Sequence, residues 1–134
     1  MNVLTQSIQD KYEDNAVLVG LLAGRFWLTE APEDNMAYPY ITYHIISNVE
    51  LMAFDPTKDI EQFRIQFSLF SDDSSSVEVG NLFEAVKNCF DRGELPFVDS
   101  DYRHVGSIRE GATLTIIDEI WQYTVDYMFF MQHA

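Results

Sequence analysis

Apolar and polar residues alternate most regularly in the middle of the chain. Phe63, Ile65, Phe67 and Leu69 are separated by Gln62, Arg64, Gln66 and Ser68. A period of two is that of a β-strand with one buried face and one wetter face. We therefore predict a half-buried strand over residues 62–69.

Three further segments predict strands because they are rich in β-branched and aromatic residues. They are residues 40–47 (YITYHIIS), about 102–110, where Gly106 weakens the pattern, and about 120–131. In the last of these one face would hold Trp121, Tyr123, Val125, Tyr127, Phe129 and Met131. We place Gly111 in the turn between the final two strands.

Apolar residues at helical spacing predict three helices, two before the first predicted strand and one between the second and the third. Leu4, Ile8 and Tyr12 form one stripe over residues 2–13. Asp14-Asn15 then offers an N-cap for a short second helix that ends at Gly24 and has Val17, Leu18, Leu21 and Leu22 as its apolar face. Residues 76–91 carry a third stripe, formed by Val79, Leu82, Phe83, Val86 and Phe90. Ser75 and Glu78 match a capping box at its start.

Together these elements predict a single α+β domain over residues 1–134. Its order is α-β-β-α-β-β, with a four-stranded, largely antiparallel sheet and the helices packed on one face. A length of 134 residues is typical of one domain with a core of its own.

Apolar residues also occur where solvent is expected. The connection from Asn48 to Asp59 is longer than the usual hairpin loop of about 2–5 residues. Exposed apolar clusters mark protein contacts, although these residues could instead fold back on the sheet or cap an edge of the core. The candidate interface residues are Leu51, Met52, Phe54, Met128 and Phe130.

The charge balance limits the possible partners. Eight basic against 22 acidic residues give a net charge of −14. Non-specific DNA or RNA binding depends on Lys and Arg neutralising phosphates, so we expect neither stable nucleic-acid binding nor attraction to anionic membranes. No signal peptide or membrane span is recognisable, and the single cysteine, Cys89, excludes an internal disulfide.

Residues able to support catalysis or metal binding do not form a known motif. His44, His104 and His133 lack ligand spacing, and the acidic pairs such as Asp72-Asp73 lie in segments typical of solvated turns. Cys89 falls on the apolar edge of the third helix, which favours a core thiol over a nucleophile. We therefore expect no catalytic site, no metal site and no cofactor.

Four segments together resemble the tail-terminator (tail-completion, tail-to-head joining) proteins of bacteriophages and prophages. They are LVGLLAGRFW, PYITYHIIS, FRIQFSLFSDDSSSVEVGNLFEAVKNCF and WQYTVDYMFF. The resemblance covers about residues 14–131, and residues 94–103 depart from it. It implies an α+β structural protein, not an enzyme, that forms a hexameric ring, caps the finished tail tube and docks to the head connector or stopper.

The resemblance also implies a location at the head–tail junction of the virion, with the host cytoplasm as the place of assembly. The tail-tube protein and sibling subunits would be its other partners. Three alternatives remain open: another neck or head-completion protein, an acidic metal- or ligand-binding α+β domain, and a toxin–antitoxin or DNA-mimic inhibitor of a basic partner.

Overall fold

The computed structural model describes residues 2–33, 37–51, 60–91, 94–97 and 101–133. The elements are α1 (Asn2–Glu13), α2 (Ala16–Leu22), β1 (Phe26–Leu28), β2 (Tyr40–Leu51), β3 (Ile60–Ser71), α3 (Val77–Phe90), β4 (Tyr102–Ile117) and β5 (Ile120–His133). None of the helices in these ranges has the length and apolar character needed to cross a bilayer.

The five strands form one sheet in the order β1-β2-β3-β5-β4. β1 is parallel to β2, and the other three pairings are antiparallel. The two hairpins, β2–β3 and β4–β5, therefore lie side by side through the β3–β5 pairing. This arrangement leaves β1 at one edge of the sheet and β4 at the other.

The core lies between one face of the sheet and the helices. The predicted alternation in β3 is confirmed, since Phe63, Ile65, Phe67 and Leu69 are fully buried. They pack with the equivalent face of β5 and with the apolar stripes of the helices. Phe67 lies at the centre, with the rings of Phe90 and Tyr127 at 4.8 and 5.6 Å. The expected mixed α+β fold, with helices on one face, is confirmed.

The predicted four-stranded sheet and its order are wrong in one respect, because β1 precedes the four expected strands. β1 has three residues, too few to show a period of two. It is held by tertiary contacts: the Phe26 ring stacks on Tyr12 at 4.4 Å and lies 4.8 Å from Tyr43. A strand stabilised in this way leaves little local signal in the sequence.

The long connection predicted from Asn48 to Asp59 is shorter in the structure. β2 continues to Leu51, and Asn48 pairs with Phe63 while Leu51 pairs with Ile60. The hairpin register continues through Asn48 and Glu50, which have low strand propensity, because β3 supplies a partner for each of these residues. Residues 52–59 lie outside the described part of the chain.

The expected turn at Gly111 is also wrong. β4 runs on to Ile117, and a two-residue turn at Asp118 and Glu119 joins it to β5. Both turn residues have positive φ, 52° and 66°, as a tight primed hairpin turn requires. Gly111 lies inside the strand, beside a register shift between Arg109 and Gly111. The shift leaves Glu110 as the extra, unpaired residue of a β-bulge.

The helix ends follow the sequence only in part. Of the predicted pair Asp14-Asn15, it is Asn15 that caps α2, and its side chain accepts a hydrogen bond of 3.0 Å from the Leu18 backbone N–H. The capping box on α3 is wrong: the Glu78 carboxylate instead accepts a hydrogen bond of 2.6 Å from the Ser71 hydroxyl. This contact ties the first turn of α3 to the end of β3.

Candidate interaction surfaces

β4 is a long strand at an exposed sheet edge. Within the described ranges it pairs with β5 on one side and with no strand on the other. The backbone amides and carbonyls on that second side therefore form a row available for pairing, which natural proteins usually shorten, cover or charge. We call this row, from Val105 to Ile117, the β4 edge.

Apolar side chains are exposed near the hairpin end of β4. Leu114, Ile116 and Ile117 are 41%, 52% and 65% exposed, and we call these three the hairpin patch. Leu114 lies opposite Tyr123 of β5, whose ring stacks on Phe83 of α3 at 4.2 Å. α3 therefore covers β5 but leaves this part of β4 exposed to solvent.

The middle of β4 is fixed to α3 by Asp91, the residue that follows the helix. The Arg109 guanidinium lies 3.2 Å from one carboxylate oxygen of Asp91, and the Tyr127 hydroxyl donates a hydrogen bond to the other. Burial, and then the Asp91 carboxylate, raise the pKa of Tyr127 well above its usual range. The strand is thus anchored at Arg109 while the hairpin patch beyond it is exposed.

The opposite face of the sheet fixes β4 to β3 at nearly the same level. Arg64 of β3 and Glu110 of β4 form a two-point ion pair with nitrogen–oxygen distances of 3.0 and 3.1 Å. Both side chains are partly exposed. The two ion pairs, Arg109–Asp91 and Arg64–Glu110, therefore hold β4 from both faces.

A second exposed apolar surface lies on α2. Its Leu18 and Leu22 are fully buried, whereas Val17, Val19 and Leu21 are 64%, 37% and 38% exposed. We call these three exposed residues the α2 patch. An isolated helix of seven residues is marginal in water, so α2 is held by its buried leucines and by the Asn15 cap.

Four aromatic rings gather on the sheet face that the helices leave open. Tyr40 of β2 contacts Phe70, Tyr38 and Trp27 at 4.7, 5.3 and 5.8 Å between ring centroids. Burial and the neighbouring Tyr38 raise the pKa of Tyr40. Because the rings bury one another, Tyr40 is only 8% exposed and the cluster stabilises this corner of the sheet.

Of the five interface residues predicted from the sequence, the structure describes the side chains of two, Met128 and Phe130, which lie two residues apart on the same face of β5. Met128 pairs with Arg64 of β3 and is 9% exposed. Phe130 is half-buried. Met52 and Phe54 lie outside the described residues, as does the side chain of Leu51. A role for these five residues stays a prediction.

Two of the residues considered for catalysis or metal binding, Cys89 and His104, pack within the fold. Cys89 is buried, as predicted, and burial raises the pKa of its thiol to about 11. Burial lowers the pKa of His104, which packs against Phe129. In the ranges that the structure describes, no three His, Cys, Asp or Glu side chains are grouped to hold a metal ion.

Sequence reasoning missed both the hairpin patch and the α2 patch. The available signal was charge: residues 15–24 and 111–117 contain no charged side chain in a chain of net charge −14. Helical spacing places Val17 and Leu21 on the same predicted apolar face as Leu18 and Leu22, and the predicted turn at Gly111 takes residues 111–117 out of the strand. An uncharged exposed segment in such an acidic chain predicts a contact surface better than apolar content alone.

No protein-family model and no curated protein matches the sequence. Among solved structures, the chain has the same fold as a chain in the "Virion of native gene transfer agent (GTA) particle". The TM-score is 0.75 at 15% sequence identity, and the match covers 93% of this chain and 91% of the other. At that identity the likeness shows the fold, which extends over nearly all of both chains.

Proposed function

We propose that this chain is a virion structural protein of a tailed phage or prophage, and that it is the tail terminator. In this role it caps the completed tail tube and joins the tail to the head connector or stopper, as a subunit of a hexameric ring. The observation that carries the proposal is the fold shared, end to end, with a chain of a gene transfer agent virion. The resemblance of four sequence segments to tail terminators supports the finer assignment.

The exposed apolar surfaces support a role in assembly. A soluble monomer gains nothing from an uncovered 16-residue edge strand that carries exposed isoleucines, and such surfaces usually mark protein contacts. A subunit of a ring would cover them with its neighbours or with the tail tube. The partners we propose are sibling subunits, the tail-tube protein and the head connector, at the head–tail junction.

The acidic composition favours a ring through which DNA passes over a protein that binds DNA. A ring through which DNA moves must not hold it, and a subunit of net charge −14 repels phosphates. We propose that the wall of the ring lumen is net negative and that the protein performs no catalysis. An affinity for duplex DNA tighter than about micromolar at physiological salt, where non-specific binders have Kd values of about 100 to 1 micromolar, would contradict this proposal.

Electron microscopy of particles assembled without the protein tests the proposed role. If it caps the tube, its loss should leave DNA-filled heads beside unattached tails whose lengths vary, because nothing stops tube growth at the correct length. A plasmid copy of the gene should restore tails of uniform length that are joined to heads. Normal, uniform tails beside heads that have lost their DNA would instead assign the protein to the neck or to head completion.

A metal- or ligand-binding domain is the alternative from another functional class. Calorimetric titration with calcium and with magnesium tests it directly, and we expect no binding heat. Saturable heat with either ion, together with normal tails in particles lacking the protein, would replace the structural role by that alternative.

A further inference from the structure

We draw no further inference here: the strongest candidate, the cleft between the β3–α3 turn and the β4–β5 hairpin where Asp72, Asp73 and Glu119 lie beside apolar side chains, is a cluster of exposed acidic residues, and nothing in the described part of the chain shows what covers it.

Discussion

β3 and β4 are long strands of the same sheet with opposite environments. β3 is central, paired on both sides, and its apolar side chains at alternate positions are fully buried. β4 is an edge strand of 16 residues, and no residue in it is buried. Its apolar side chains stand on both faces, with Ile108 opposite Met128 on the open face and Leu114 opposite Tyr123 on the helix face.

This contrast separates stability from assembly. The alternation in β3 is what a sheet needs to bury one face, so β3 contributes to the core of the isolated chain. β4 adds exposed apolar surface that the isolated chain does not use. We infer that substitutions in β3 act mainly on unfolding, and that substitutions at the hairpin patch act mainly on contacts with other chains.

The largest effect should come from a matched pair of leucines in the two strands. Leu69 of β3 is fully buried, whereas Leu114 of β4 is 41% exposed. Leu69→Ala leaves a cavity in the core and should lower the free energy of unfolding by about 2–5 kcal/mol. Leu114→Ala should lower the free energy of unfolding by only about 0.5 kcal/mol. Urea denaturation of single chains measures both, and equal losses would contradict the separation of roles.

The same contrast explains how much of the fold could be predicted. β3 and β5 have a buried face and an open one, so Phe67 and Val125 fall on a clear period of two. Exposure on both faces removes that period from the second half of β4, and Gly111 imitates a turn. The real turn, at Asp118 and Glu119, lacks the glycine that positive φ usually selects.

The candidate surfaces were less predictable than the core, because exposure depends on where the helices end. Leu21 and Leu22 look alike in the sequence, yet Leu22 is fully buried and Leu21 is 38% exposed. Likewise, α3 covers Tyr123 and leaves Leu114 beside it exposed. Tertiary packing decides both cases, and local sequence does not record it.

Alkaline pH should destabilise the core through Cys89, with an effect of up to about 2 kcal/mol. Burial raises the pKa of its thiol from 9.0 to about 11. Between these values the unfolded chain loses the thiol proton while the folded chain keeps it, so the free energy of unfolding falls as pH rises. Cys89→Ala should make this fall shallower between about pH 9 and 10, below the range in which tyrosines of the unfolded chain lose their protons, in urea denaturation at stepped pH. An unchanged slope would show that Cys89 is not the group responsible.

The hydrogen bond that joins β5 to Asp91 at the end of α3 should contribute less, and its loss should lower the free energy of unfolding by about 1.5 kcal/mol. Tyr127→Phe removes the hydroxyl that donates to Asp91 and leaves the ring packed against Phe67. The Asp91 carboxylate keeps Arg109 and access to water, which limits the loss. Thermal denaturation should show a lower midpoint, and amide exchange in β5, which carries Tyr127, should accelerate more than in β2. Equal acceleration in the two strands would indicate general loosening, not a local anchor.

The smallest effect should come from the ion pair that joins β4 to β3 on the open face. Arg64 and Glu110 are both partly exposed, and their side chains are 42% and 33% exposed to solvent. A double-mutant cycle with Arg64→Met and Glu110→Gln should give a coupling of about 0.5 kcal/mol that shrinks as sodium chloride is added. The pair holds the strand at Glu110, seven residues before Ile117. The two substitutions should therefore leave contacts through the hairpin patch unchanged. A coupling above about 2 kcal/mol, or weaker contacts with other chains when the pair is removed, would show that the ion pair and the hairpin patch depend on each other. That result would contradict the separation of stability from assembly.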